Sequence, residues 1–159
     1  MFSSATPEWE TPQWLFDALN ARFHFTLDVC ATPENAKCAK YFTREDDGLA
    51  QGWLRERCWM NPPYGRKISD WVAKARQEAL GGALVVGLLP ARTDTRWWQE
   101  HVQGHADVRF IAGRLKFGNA QNSAPFPSAI AVWWGWPILQ GYFDNFNRGR
   151  PCLVRPCFV

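Results

Sequence analysis

Trp59-Met60-Asn61-Pro62-Pro63-Tyr64-Gly65 is the stretch of this 159-residue chain whose residue types could do chemistry. Two consecutive prolines donate no hydrogen bonds, so neither a helix nor an inner strand passes through them. The pattern predicts a rigid, extended corner at the end of a strand, with free carbonyls and an aromatic ring just beyond. Such a corner suits a planar exocyclic amine. The side-chain oxygen of Asn61 and the carbonyl of Pro62 would accept its two hydrogens and direct its lone pair toward an electrophile. Tyr64 would stack on a base taken out of its helix. For a methyl group carried on a sulfonium, in-line placement beside that nitrogen supplies most of the catalysis. Neither a metal nor a strong base is required.

The corner is one of an ordered set of features. The others are Thr11-Pro12, Leu27-Asp28-Val29-Cys30-Ala31, Asp47-Gly48-Leu49, Leu88-Leu89-Pro90-Ala91, Asp94-Thr95, Trp97-Trp98 and Gly113-Arg114-Leu115-Lys116-Phe117. Taken in that order, the chain resembles the phage-type DNA adenine-N6 methyltransferases (Dam-like), which use S-adenosyl-L-methionine. The resemblance implies a trimmed Rossmann-like methyltransferase fold and methyl transfer to N6 of adenine in double-stranded DNA. It also implies modification of phage or prophage DNA in the cytoplasm of a bacterial host. Asn61, Pro62, Pro63 and Tyr64 become the catalytic residues, Thr11 and Pro12 line the methionine end of the cofactor, and Cys30 and Ala31 lie beside it. The same corner would serve an amine on RNA or the amide of a protein glutamine. A catalytically silent binding protein could also keep the fold.

A chain of this length predicts one domain, 1–159, large enough for a core. Its apolar content is 47%, yet no apolar run approaches the roughly 20 residues that span a bilayer. The first eight residues read as a mobile lead without the features of a signal peptide. A soluble cytoplasmic protein with no obligate protein partner is expected. The five cysteines lack a paired Cys-x-x-Cys arrangement, which predicts reduced structural thiols and no metal site. A net charge of +3 is too small to announce a nucleic-acid binder. Its distribution says more: no acidic residue lies between Asp107 and Asp144, an interval that holds Arg109, Arg114 and Lys116, and Arg148, Arg150 and Arg155 follow. A basic half facing phosphate or a solvated face both fit this distribution.

The elements that must position the corner follow from periodicity. Thr11 as cap and Pro12 as first helical residue open a helix carrying Trp14, Leu15, Ala18 and Leu19 and ending near Asn20. Residues 23–31 read as the first strand. Ligands in open α/β sheets bind beyond the carboxyl ends of strands, so Asp28 is placed either to meet a cofactor or to cap its own loop. No glycine-rich turn follows; residues 33–41 suggest a short helix instead. Asp47, ahead of Gly48, is placed for a ribose hydroxyl or adenine amine, or simply makes an Asp-Gly turn. Arg57 to Met60 is the short strand delivering the corner. A helix from about Ile68 closes at Gly81-Gly82, and residues 83–90 form a central parallel strand buried on both faces.

Thr93 or Asp94 caps the next helix, where Arg92 and Trp97 could meet the phosphate and base of a splayed nucleotide or simply pack. Strands at 108–111 and 128–136 enclose a polar loop, 113–128. Its Arg114, Lys116 and Asn119 are the candidate DNA contacts. Residues 141–148 suggest a last turn and 148–159 a tail. The fold class is α/β: a compact, mainly parallel, twisted sheet flanked by helices.

Overall fold

Residues 84–90, Leu-Val-Val-Gly-Leu-Leu-Pro, are buried without exception and form the strand around which the sheet is built. The computed structural model describes residues 9–135. The lead expected at 1–8, the end of the closing strand at Trp136, and the turn and tail expected beyond it, with Arg148, Arg150 and Arg155, lie outside the described residues. The strands are β1 (Leu27–Asp28), β2 (Lys40–Tyr41), β3 (Arg57–Met60), β4 (Leu84–Pro90), β5 (Asp107–Phe110) and β6 (Ser128–Trp133). The helices are α1 (Gln13–Phe23), α2 (Ile68–Leu80) and α3 (Arg96–His101). All six strands join one sheet in the order β2-β1-β3-β4-β6-β5.

Alternation along the strands divides the side chains between two cores. Cys58, Met60, Val85, Leu89, Ala131 and Trp133 face α2 and α3. Trp59, Val86, Leu88, Ile130 and Val132 face α1 and the chain that follows β5. Both faces of the sheet are therefore covered, the arrangement of an α/β domain. Gly87 makes room in the first core, since a Cβ there would lie 3.2 Å from the Trp133 ring.

The parallel expectation holds from β2 through β4. It fails at β6, which runs antiparallel to both β4 and β5. The reason is connectivity: β5 ends at the same edge as β4, and the 113–128 loop stays at that edge. The returning strand must then run backwards.

Several local expectations are also corrected. Pro12, not Thr11, is the cap of α1, and the Pro12 carbonyl accepts from the N–H groups of Leu15 and Phe16. The helix runs on past Asn20 to Phe23, with His24 in the left-handed region as its stop, and Phe16 and Phe23 rather than Ala18 join its buried face. Only Leu27–Asp28 of the long first strand survives. The helix expected at 33–41 does not form; residues 32–36 make a turn, and Lys40–Tyr41 pairs with β1. Thr95, not Thr93 or Asp94, precedes α3. Among the described residues no helix is long and apolar enough to cross a membrane.

Candidate active site

β3 ends at Met60, and the next four residues turn across the carboxyl edge of the sheet toward β4. The Asn61 carboxamide is held from one side only. Its Nδ2 donates to the carbonyl of Trp9 and, at 3.1 Å, to the hydroxyl of Thr11. Its Oδ1 is buried and accepts no hydrogen bond from the described residues. An unmet buried acceptor costs about 1–3 kcal/mol, and this one is left open to an incoming donor. The Pro62 carbonyl likewise accepts nothing from the described residues. Pro62 itself is buried and Pro63 exposed. Tyr64 reaches over to β4, where its hydroxyl donates to the Leu88 carbonyl at 3.2 Å. Burial, and behind it the nearby Cys30 thiol, pushes the Tyr64 hydroxyl well above the usual phenol range, so it stays a neutral donor.

An aromatic wall stands beside this corner. Phe126 meets Tyr64 at 5.5 Å between ring centroids and Trp9 at 5.3 Å, both edge-on. Phe117 touches Trp9 at 5.2 Å and Tyr64 at 6.3 Å. The sequence pattern names Phe117 only as the end of the Gly113 to Phe117 stretch and gives Trp9 and Phe126 no role. The signal available was proximity: Trp9 lies two residues before Thr11, and Phe117 ends the Gly113 to Phe117 stretch.

The residues expected at the cofactor converge on the ends of β1 and β3. Asp28 is almost fully buried and accepts from the backbone N–H groups of Lys37, at 3.0 Å, and Cys30, at 3.4 Å. It therefore organises the loop that lacks glycine. Burial pushes its carboxyl up to about 6 against the pull of those two N–H groups and of the Lys37 charge. The loop's other donors are also used internally: Ala31 N–H bonds Phe42, Thr32 N–H bonds the Asn35 side chain, and Asn35 and Ala36 bond Thr32. The Cys30 thiol sits against the Asn61 backbone N–H, and burial followed by the Asp28 charge raises it far from the thiolate range. It is no nucleophile.

Asp47 and Asp46 behave differently. Asp46 takes the N–H and hydroxyl of Thr43, which draw its carboxyl below the usual range. The Asp47 carboxylate is exposed and makes no hydrogen bond to a described residue. Its backbone is in the left-handed region at φ 52°, with Gly48 packed directly against Val29 at the end of β1. Trp53 secures this loop, donating to the Gly48 carbonyl at 2.9 Å and stacking on Trp71 of α2.

The family model described as DNA N-6-adenine-methyltransferase (Dam) matches residues 3–132. The chain belongs to this family. It is similar to the DNA N-6-adenine-methyltransferase of Haemophilus phage HP1, with 32% identity over 114 residues, 70% of this chain and 66% of that one. The DNA N-6-adenine-methyltransferase of Escherichia phage T1 is also 32% identical, over 109 residues that make up 67% of this chain and 45% of the relative. The matched region thus spans about two thirds of one relative and less than half of the other.

In this Dam-family chain the residues expected to meet DNA share the edge that carries the corner, but they are not equivalent. Arg92 follows β4 and is exposed. Trp97 is half-buried, packs into the α2–α3 core and abuts Trp98 edge-on at 5.7 Å. In the 113–128 loop, Leu115 and Phe117 are buried while Arg114, Lys116 and Asn119 are exposed. The loop is tied down at Gly118, whose N–H donates to the Glu10 carbonyl at 2.9 Å, and at Pro127, whose carbonyl accepts from Ala91 N–H at 2.9 Å. It is closed across itself by Ala124 N–H to the Leu115 carbonyl at 2.7 Å. Its polar side chains are thus presented on a fixed backbone next to the aromatic wall.

Proposed function

We propose that this chain transfers a methyl group from S-adenosyl-L-methionine to the N6 amine of adenine in double-stranded DNA. The observation that carries the reading is the pair of unmet acceptors, Asn61 Oδ1 and the Pro62 carbonyl, at the corner after β3. Both accept and neither donates, so they select a nitrogen bearing two hydrogens. Held by both, an adenine amine turns its lone pair out of the ring plane. The base must leave the duplex to reach them, and the Tyr64 ring offers it a stacking surface.

When bound, S-adenosyl-L-methionine supplies the electrophilic methyl group. The cofactor side fits a nucleoside with polar groups: the Asp47 carboxylate is exposed and without a partner among the described residues, and the Gly48 that follows it packs against Val29 at the end of β1. We assign Asp47 to the nucleoside and Cys30 and Ala31 to the adjoining edge, with Asp28 holding the loop between them. The loop spends its own N–H groups internally, so its shape rather than its donors would contact the methionine part. The side chains of this site hold and orient; no thiolate or phenolate is available to attack, because burial raises both Cys30 and Tyr64.

Exposed Arg92, Arg114 and Lys116 at the same edge suit a phosphate backbone and favour nucleic acid over a protein amide. The phage origin of the relatives favours modification of phage or prophage DNA in the host cytoplasm. The test is incubation of the purified chain with methyl-labelled cofactor and unmethylated duplex DNA, then nucleoside analysis. Label in N6-methyldeoxyadenosine is the expected result. Label in RNA or in glutamine offered in parallel, with none in DNA, would overturn the reading.

A further inference from the structure

An asparagine carboxamide is nearly symmetric in shape, and only one of its two orientations offers an acceptor to a substrate amine. In the other, Nδ2 would face the N–H donors of the base and repel them. Something must choose between the two. In this chain the chooser is visible: Nδ2 lies between two oxygens of one short segment, the Trp9 carbonyl and the Thr11 hydroxyl. The Trp9 carbonyl can only accept. Turning the amide over would press Oδ1 against that carbonyl and lose the Trp9 bond, and the Thr11 hydroxyl, which can donate as well as accept, would have to reverse its own bond.

The segment itself is fixed at each residue. The Trp9 ring is wedged against Phe117 and Phe126. The Glu10 carbonyl takes the Gly118 N–H at 2.9 Å. Thr11 is only 4% exposed, and the next carbonyl, of Pro12, caps α1. Trp9–Thr11 is thus a strap stretched from the 113–128 loop to the first helix, with the catalytic amide hung on it.

We propose that this strap positions the Asn61 carboxamide, with Thr11 as a positioning residue, a role that rests on the methyl-transfer reading of the corner. It differs from the cofactor contact that the family resemblance implies for Thr11. A corollary concerns the residue type at 61. A carboxylate there would keep an acceptor toward the base but would place its second oxygen against the Trp9 carbonyl. The strap therefore requires an amide.

The test uses the full chain labelled with 15N, the Asn61 side-chain resonance being assigned by its loss in Asn61→Ala. The expected wild-type signal is an amide pair shifted from free asparagine values and slow to exchange. Thr11→Val should shift that signal and speed its exchange, and Thr11→Ser should restore it. In single-turnover methylation, Thr11→Val should be about tenfold slower with cofactor affinity unchanged, as expected for one lost positioning hydrogen bond, and Thr11→Ser should recover the rate. Asn61→Asp should be slower by about a hundredfold, since a buried oxygen then faces an acceptor. An Asn61 amide signal unmoved by Thr11→Val, or an Asn61→Asp enzyme as fast as wild type, would overturn the proposal. A wild-type chain that shows the amide signature but methylates no DNA would defeat the functional reading and leave the strap standing.

Discussion

A Cβ on Gly48 would lie 2.2 Å from the carbonyl oxygen of Val29 and 3.0 Å from the Trp71 ring. The Asp47-Gly48 loop thus lies directly on the end of β1, and only glycine permits that approach. Gly48→Ala must push the loop off the strand. We expect it to lower stability by about 2–3 kcal/mol in denaturant unfolding, the upper part of the usual range of about 1–3 kcal/mol for overpacking, because the clash is with backbone that cannot rotate away. Gly52→Ala, which meets nothing within 4 Å, is the control and should change stability by less than about 1 kcal/mol. Equal stability of the two variants would contradict the packing described.

What the sequence made legible was what is written in local pattern. The wholly apolar 84–90 run could only be an inner strand, and Arg57 to Met60 was readable because two prolines end it. What it hid depends on distant partners. Residues 33–41 have helical composition, but Asp28 takes the Lys37 N–H that a continuing helix would give to the Pro33 carbonyl, and the chain beyond is drawn into pairing with β1. Phe23 and Phe25 alternate like a strand, yet Phe23 belongs to α1, and His24 in the left-handed region separates them. The direction of β6 is invisible in its residues, because a strand buried on both faces reads the same either way. In the site, the corner was legible and its supports were not: nothing in the spacing of Trp9, Thr11 and Asn61 announces that they meet.

The buried Asp28 predicts a pH dependence. Its carboxyl is pushed up to about 6, above the ordinary value of 3.8, chiefly by burial. Between those values the unfolded chain has released a proton that the native chain keeps, so stability falls as pH rises from about 4 to about 6 and then levels off. The change should be on the order of 2–3 kcal/mol. Unfolding free energies of wild type minus Asp28→Asn across this window isolate it. A 13C titration of the Asp28 carboxyl with a midpoint near 4 would contradict the assignment.

Arg114 is exposed on a loop whose backbone is pinned at Gly118 and Pro127. If it meets phosphate, Arg114→Ala weakens duplex binding and reduces the slope of log affinity against log salt by about one. Fluorescence anisotropy with a short duplex over a salt series measures both. An unchanged slope would remove Arg114 from the interface.

The central claim is that the unmet Oδ1 of Asn61 receives the target amine. The direct measurement is the single-turnover methylation rate of Asn61→Ala on unmethylated duplex DNA, with cofactor affinity taken by calorimetry on the same preparation. The account predicts a rate lower by about a hundredfold or more, with cofactor affinity nearly intact. A variant that methylates at the wild-type rate would contradict it.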